Sequence, residues 1–269
     1  MEIALVFSGL WLLWRIAVSP QARRDPPSRL LLAWGISWEQ FGLFLWIEIG
    51  AAFLAQLGTV ALLHALDASP EVLALVGGSS FDFGLIGAFA LFYAAVLKRG
   101  PRPPAAPPRV PSLLAGIGTF LVVLPIVYAV GIPWEALLTA FHLPVESQDV
   151  VGLFLGSHSL STRALIVVLA VVVAPVAEEL LFRAGLFRFL RQRAPRWVAF
   201  LVPALIFAAL HVTWQSLNGL ASFLPLTALA MTFSYAYERT GSLSTTIIAH
   251  ALFNLHTITL VICGVSQGA

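Results

Sequence analysis

Glu178 and Glu179 interrupt one long apolar run, His211 stands near the end of the next, and His250 and Asn254 sit inside the last. Carboxylates and imidazoles among leucine, valine and phenylalanine are tolerated where they face a shared polar interior. A carboxylate in a partly dry cavity can take a proton from water and return it near neutral pH. A neighbouring imidazole can hold that water. Imidazole and amide donors can receive the charge of a tetrahedral oxyanion, and losing one such donor costs about 3 kcal/mol in other enzymes. Glu178 and His211 as water activators, with His250 and Asn254 as oxyanion donors, would together hydrolyse a peptide bond. No serine, cysteine or aspartate pattern offers a rival nucleophile, and Cys263, the only cysteine, lies beyond these residues.

Spacing supports the grouping. The runs around Glu178 and His211 form a hairpin that turns near Ala194–Pro195. Glu178 lies 16 residues before Ala194 and His211 lies 17 after it, so antiparallel helices bring the two to one depth. His250 and Asn254 are four apart and share a face, as do Phe207 and His211. Glu178 and Glu179 diverge by about 100 degrees around a helix. Glu179 is four before Arg183, an ion-pair spacing, which assigns Glu179 to structure and Glu178 to chemistry. A zinc ion on Glu178, His211 and His250 is the competing mechanism. The helical zinc motif with two histidines around a glutamate is absent, so no cofactor is assigned and Zn2+ stays open.

The elements that must position these residues are membrane spans. Of 269 residues, 59% are apolar and 10% charged, against about 25% charged in a soluble domain. The expected fold is an all-α, polytopic transmembrane bundle of about eight helices. The candidate spans are Ile3–Ser19, Phe41–Leu63, Phe81–Leu97, Ser112–Ile132, Ala164–Phe187, Trp197–Trp214, Leu220–Tyr237 and Leu243–Cys263. The first is short and carries Arg15. Positive residues follow it rather than precede it, which is the wrong order for a signal peptide.

Arg23, Arg24 and Arg29 follow the first span, Lys98, Arg99, Arg102 and Arg109 the third, Arg188, Arg191, Arg193 and Arg196 the fifth, and Arg239 the seventh. All fall on one side, which the positive-inside rule makes cytoplasmic, with both termini non-cytoplasmic. This distribution argues for membrane orientation and against nucleic-acid binding. Residues 98–111 hold six prolines and four basic residues and read as a cytoplasmic linker. They separate a front portion, 1–97, from a back portion, 112–269. In the front portion Glu48 is the main polar residue at membrane depth, near enough to the cytoplasmic start of its helix to reach the headgroups. His64, His142, His158 and His256 read as core hydrogen-bonding or surface residues.

Three motifs on these spans resemble the CPBP family of intramembrane proteases, which includes the type II CAAX prenyl endopeptidases and Abi-like bacterial relatives linked to bacteriocin maturation and immunity. They are Glu178-Glu179-Leu180-Leu181-Phe182-Arg183, Phe207-Ala208-Ala209-Leu210-His211 and His250-Ala251-Leu252-Phe253-Asn254. Tyr237–Leu243 is also similar to the family. The likeness covers roughly Ala164–Ile262 and not the front portion. Family members often have glycine directly after the arginine, whereas here Ala184 precedes Gly185. The resemblance implies that Glu178 and His211 activate water, that His250 and Asn254 hold the oxyanion, and that Glu179, Arg183 and Phe207 support them. It implies a multi-pass protein of a bacterial inner (plasma) membrane, acting on a membrane-anchored or exported protein or peptide. The alternative is a non-catalytic membrane immunity or scaffold protein that retains the polar core.

Overall fold

In the computed structural model, residues 2–15, 19–21, 30–31, 34–97, 112–145, 149–157 and 159–264 are described. The linker 98–111, Arg23, Arg24, Arg29 and His158 lie outside the described residues. Among those described there is helix and no strand. In chain order the helices are α1 (Glu2–Leu13), α2 (Trp38–Ala65), α3 (Pro70–Phe92, continued by a π turn Tyr93–Leu97), α4 (Ser112–Ala140) and α5 (Asp149–Gly156). They continue with α6 (Leu160–Arg191), α7 (Arg196–Ala209), α8 (Phe223–Thr240, entered through a 3-10 turn Leu220–Ser222) and α9 (Leu243–Ile262).

Among the described residues six helical stretches are long and apolar enough to cross a membrane, and α7 is a shorter apolar helix. With α1 they account for the eight apolar runs, and the chain is an integral membrane protein built as a helical bundle. Local chemistry sets the boundaries. Ser37 and Gln40 form a capping box that starts α2 at Trp38 rather than Phe41. Ser69 accepts from Val72 N and Pro70 takes the first turn, which starts α3 eleven residues before the expected Phe81. Gly241, in the left-handed region, ends α8. α7 stops at Ala209, five residues short of the expected Trp214, and His211 lies just past its end. The short helix α5 has no counterpart among the expected spans.

α2 and α3 pair closely because Gly84 lets the α3 backbone lie against Ala52. α2 meets α6 where Phe44 occupies the space over Gly185. Phe182, Ala204, Phe207, Leu229, Phe233 and Ala249 form the core of the back portion. A second core of Trp34, Phe41, Phe44, Phe92 and Phe189 joins front to back at the arginine-rich end. There Gln192 Oε1 accepts from Trp34 N at 3.0 Å and Arg193 Nη2 donates to Ile36 O at 2.6 Å. Glu48 is 1% exposed, between Phe44 and Ala52 on the buried face of α2, so its carboxylate is enclosed by the bundle instead of lying on an outer face. The correction follows from the packing of α2 onto α6, which a single helix pattern does not reveal.

Candidate active site

Three helices deliver the polar set. α6 carries Glu178, Glu179 and Arg183, the end of α7 carries His211, and α9 carries His250 and Asn254. Their backbone is irregular at the site. Within α6, π turns at Leu169–Val173 and Leu180–Phe187 flank a short α segment, Ala174–Glu179, that holds both glutamates and Pro175. Such π segments rotate the following side chains and are frequent at functional sites.

Glu178 meets an imidazole at each oxygen. His211 Nε2 is 4.0 Å from Oε1, and His250 Nε2 is 3.6 Å from Oε2. The other nitrogen of each ring is held. His211 Nδ1–H donates to Phe207 O at 2.8 Å, and His250 Nδ1 lies 3.0 Å from Glu179 Oε1. With Nδ1 so occupied, both Nε2 atoms are turned towards Glu178. The Glu178 and His211 side chains are 21% and 26% exposed, so the pair is partly accessible. Glu179 and Arg183 are sealed.

Glu179 is the hub behind the site. Its Oε1 takes Arg183 Nη1 at 2.8 Å as well as His250 Nδ1. Arg183 also donates to Ala230 O at 3.3 Å and lies between the rings of Phe207 and Phe233, 5.2 and 5.4 Å from their centroids. Phe207 therefore has two tasks. Its ring covers the guanidinium, and its carbonyl fixes the His211 ring. Asn254 is placed differently from the other three. Its Nδ2 donates to Ala170 O at 2.8 Å, two turns before Glu178 on α6.

Asp82 on α3 is the residue that sequence reasoning missed. It lies close enough to Glu178 for the two charges to act on each other. Phe81 and Leu85, on either side of it, pack against Ala177 and Leu181, which flank Glu178. The signal was an aspartate inside the expected span Phe81–Leu97. For the zinc alternative the geometry is unfavourable. Among the described residues no three His, Cys, Asp or Glu side chains are arranged to hold a metal ion. The Glu178 oxygens face the two imidazoles separately.

Residues 160–256 match the family model described as type II CAAX prenyl endopeptidase Rce1-like. A 90-residue stretch is 32% identical to the UPF0177 protein YbdI of Lactococcus lactis subsp. lactis (strain IL1403), covering 33% of this chain and 44% of that protein. Another of 136 residues is 26% identical to the "Putative membrane peptidase YdiL" of Bacillus subtilis (strain 168), covering 45% of this chain and 53% of that one. The chain thus spans about half the length of these curated relatives. No solved structure matches. The segment similar to the Rce1-like, type II CAAX prenyl endopeptidase family is thus the one that brings Glu178, His211 and His250 together.

Proposed function

We propose that this protein is an intramembrane endopeptidase that cleaves a peptide bond in a membrane-associated protein or peptide, with Glu178 as its base. The observation that carries the reading is the meeting of partly exposed Glu178 with two imidazoles from other parts of the bundle, at 4.0 and 3.6 Å. Water held between Glu178 and His211 gives its proton to Glu178 as its oxygen adds to the substrate carbonyl. Glu178 then passes that proton to the departing amine, the C–N bond breaks, and an acid and an amine leave.

Glu178 serves as the base and His250 Nε2, 3.6 Å from it, as the donor for the oxyanion. Glu179 Oε1 lies 3.0 Å from His250 Nδ1 and orients the ring from behind. No step requires a metal, and cleavage is expected to survive strong chelation of the purified protein.

The same proposal takes 1–97 as a supporting front portion, 98–111 as a cytoplasmic linker and 112–269 as the protease core. Both termini then lie outside a bacterial inner membrane, and the exposed Cys263 should react with a membrane-impermeant maleimide added to intact cells. The decisive experiment compares membrane and secreted proteomes of wild type and Glu178→Gln. An uncleaved precursor is expected to accumulate in the variant. Identical proteomes would sink the enzyme reading and leave the scaffold alternative.

A further inference from the structure

We infer that Asp82 is a specificity-determining residue, which takes a basic side chain of the substrate, lysine or arginine, beside the bond that is cleaved at Glu178. The effect on cleavage rests on the endopeptidase reading; the effect on binding does not.

Depth carries the first half of the argument. Asp82 stands twelve residues after Pro70, where α3 starts, and fifteen before Leu97, where its π turn ends. A helical rise of about 1.5 Å per residue puts it roughly 18 Å or more from either end, too far to lift its carboxylate to the headgroups. An acid at that depth is costly and calls for a partner. Among the described residues Asp82 has no hydrogen bond and no ion pair. The donors nearby are engaged elsewhere. The hydroxyls of Ser79 and Ser80 donate to Val76 O and Gly77 O of their own helix, at 3.3 and 2.7 Å. Arg183 is sealed against Glu179. His211 and His250 turn Nε2 to Glu178 and hold Nδ1 at Phe207 O and Glu179 Oε1. The missing partner therefore comes from outside the chain.

Position carries the second half. Phe81 and Leu85 pack with Ala177 and Leu181, so this stretch of α3 lies along the turn of α6 that bears Glu178. Asp82 and Glu178 are close enough for their charges to act on each other. Both are partly exposed, so one bound peptide is within reach of the two. A pair of carboxylates whose neighbouring cation is already taken attracts a basic side chain and repels an acidic one. The basic residue then lies within about three positions of the scissile bond, the span of roughly 10 Å of extended chain. Chemistry sits on the segment 160–256 that matches the family, and the choice of substrate on the front portion that the match does not include.

The test uses the full chain in lipid nanodiscs and fluorescently labelled leucine–alanine peptides. The peptides carry lysine, glutamine or glutamate at a single position, which is moved through the sequence. Binding is read on Glu178→Gln, which holds a peptide without cutting it, and cleavage on the chain with Glu178 intact. At the best position the lysine peptide is expected to bind about tenfold tighter than the glutamine peptide, and the glutamate peptide more weakly than both. Adding Asp82→Asn is expected to erase the lysine preference, and Asp82→Lys to pass it to the glutamate peptide. The order of kcat/KM should follow, with the change in KM. A lysine-to-glutamine binding ratio that is the same with and without Asp82→Asn would overturn the inference. So would a loss of binding and cleavage by one common factor for all three peptides, because Asp82 would then act only through Glu178. Absence of binding by every peptide counts against it as well. If Asp82→Lys does not fold, the isosteric Asp82→Asn decides alone. If wild type and Glu178→Gln leave the peptides equally intact while the lysine preference depends on Asp82, the endopeptidase reading falls and the binding role stands.

Discussion

Glu179 on α6 and Glu48 on α2 are both closed off from solvent, at 0% and 1% exposure, yet their surroundings share nothing polar. Glu179 has Arg183 at 2.8 Å and His250 at 3.0 Å. Neither oxygen of Glu48 has a hydrogen-bond partner among the described residues. Burial alone therefore does not mark an acid as functional. What marks one is the set of partners that converge on it, and in this bundle those partners come from the back portion. Asp82 is intermediate, a front-portion acid whose charge acts on Glu178 in the back portion.

The contrast is tested most severely at Arg183. Arg183→Ala leaves Glu179 buried without its cation and is expected to lower stability by about 3–5 kcal/mol, measured by unfolding in mixed micelles. Adding Glu179→Gln should recover part of that loss, with a coupling of about 1 kcal/mol or more in the double-mutant cycle. Simple additivity would mean that the ion pair is not the hub. Asp82→Asn removes a charge that acts on Glu178, and is expected to reduce precursor cleavage about tenfold with stability changed by less than about 1 kcal/mol. Unchanged cleavage would make Asp82 a bystander. The smallest effect is expected at Glu48. Glu48→Leu replaces an unpartnered acid with an apolar side chain, so stability should hold within about 0.5 kcal/mol or rise. A loss near that of Arg183→Ala would show that Glu48 has a partner of its own.

Much of the site was legible in the sequence because two periodicities fix it. The four-residue spacing pairs Glu179 with Arg183 and Phe207 with His211, and the near-equal distances from Ala194 bring Glu178 level with His211. The membrane bundle followed from composition, since apolar runs of this length have few alternatives. What was not legible depends on departures from ideal helix. Nothing in the residues around His211 announces that α7 ends at Ala209. The bond from Asn254 to Ala170 meets α6 at a π turn that no spacing announces. Asp82 stood inside an expected span but gained meaning only when α3 was seen against Ala177 and Leu181. Tertiary packing supplies that information, and a single-helix pattern does not contain it.

Gln192 and Arg193 fasten the backbone at Trp34 and Ile36, and Phe41 stacks on Phe189 at 3.8 Å, so front and back are joined by more than their shared chain. Proteolytic nicking anywhere within 98–111 should accordingly yield a stoichiometric pair of fragments that copurify and still present Asp82 to Glu178. Severing the polypeptide there would convert one gene product into a heterodimer without separating the Glu178 cluster from the helices that enclose it.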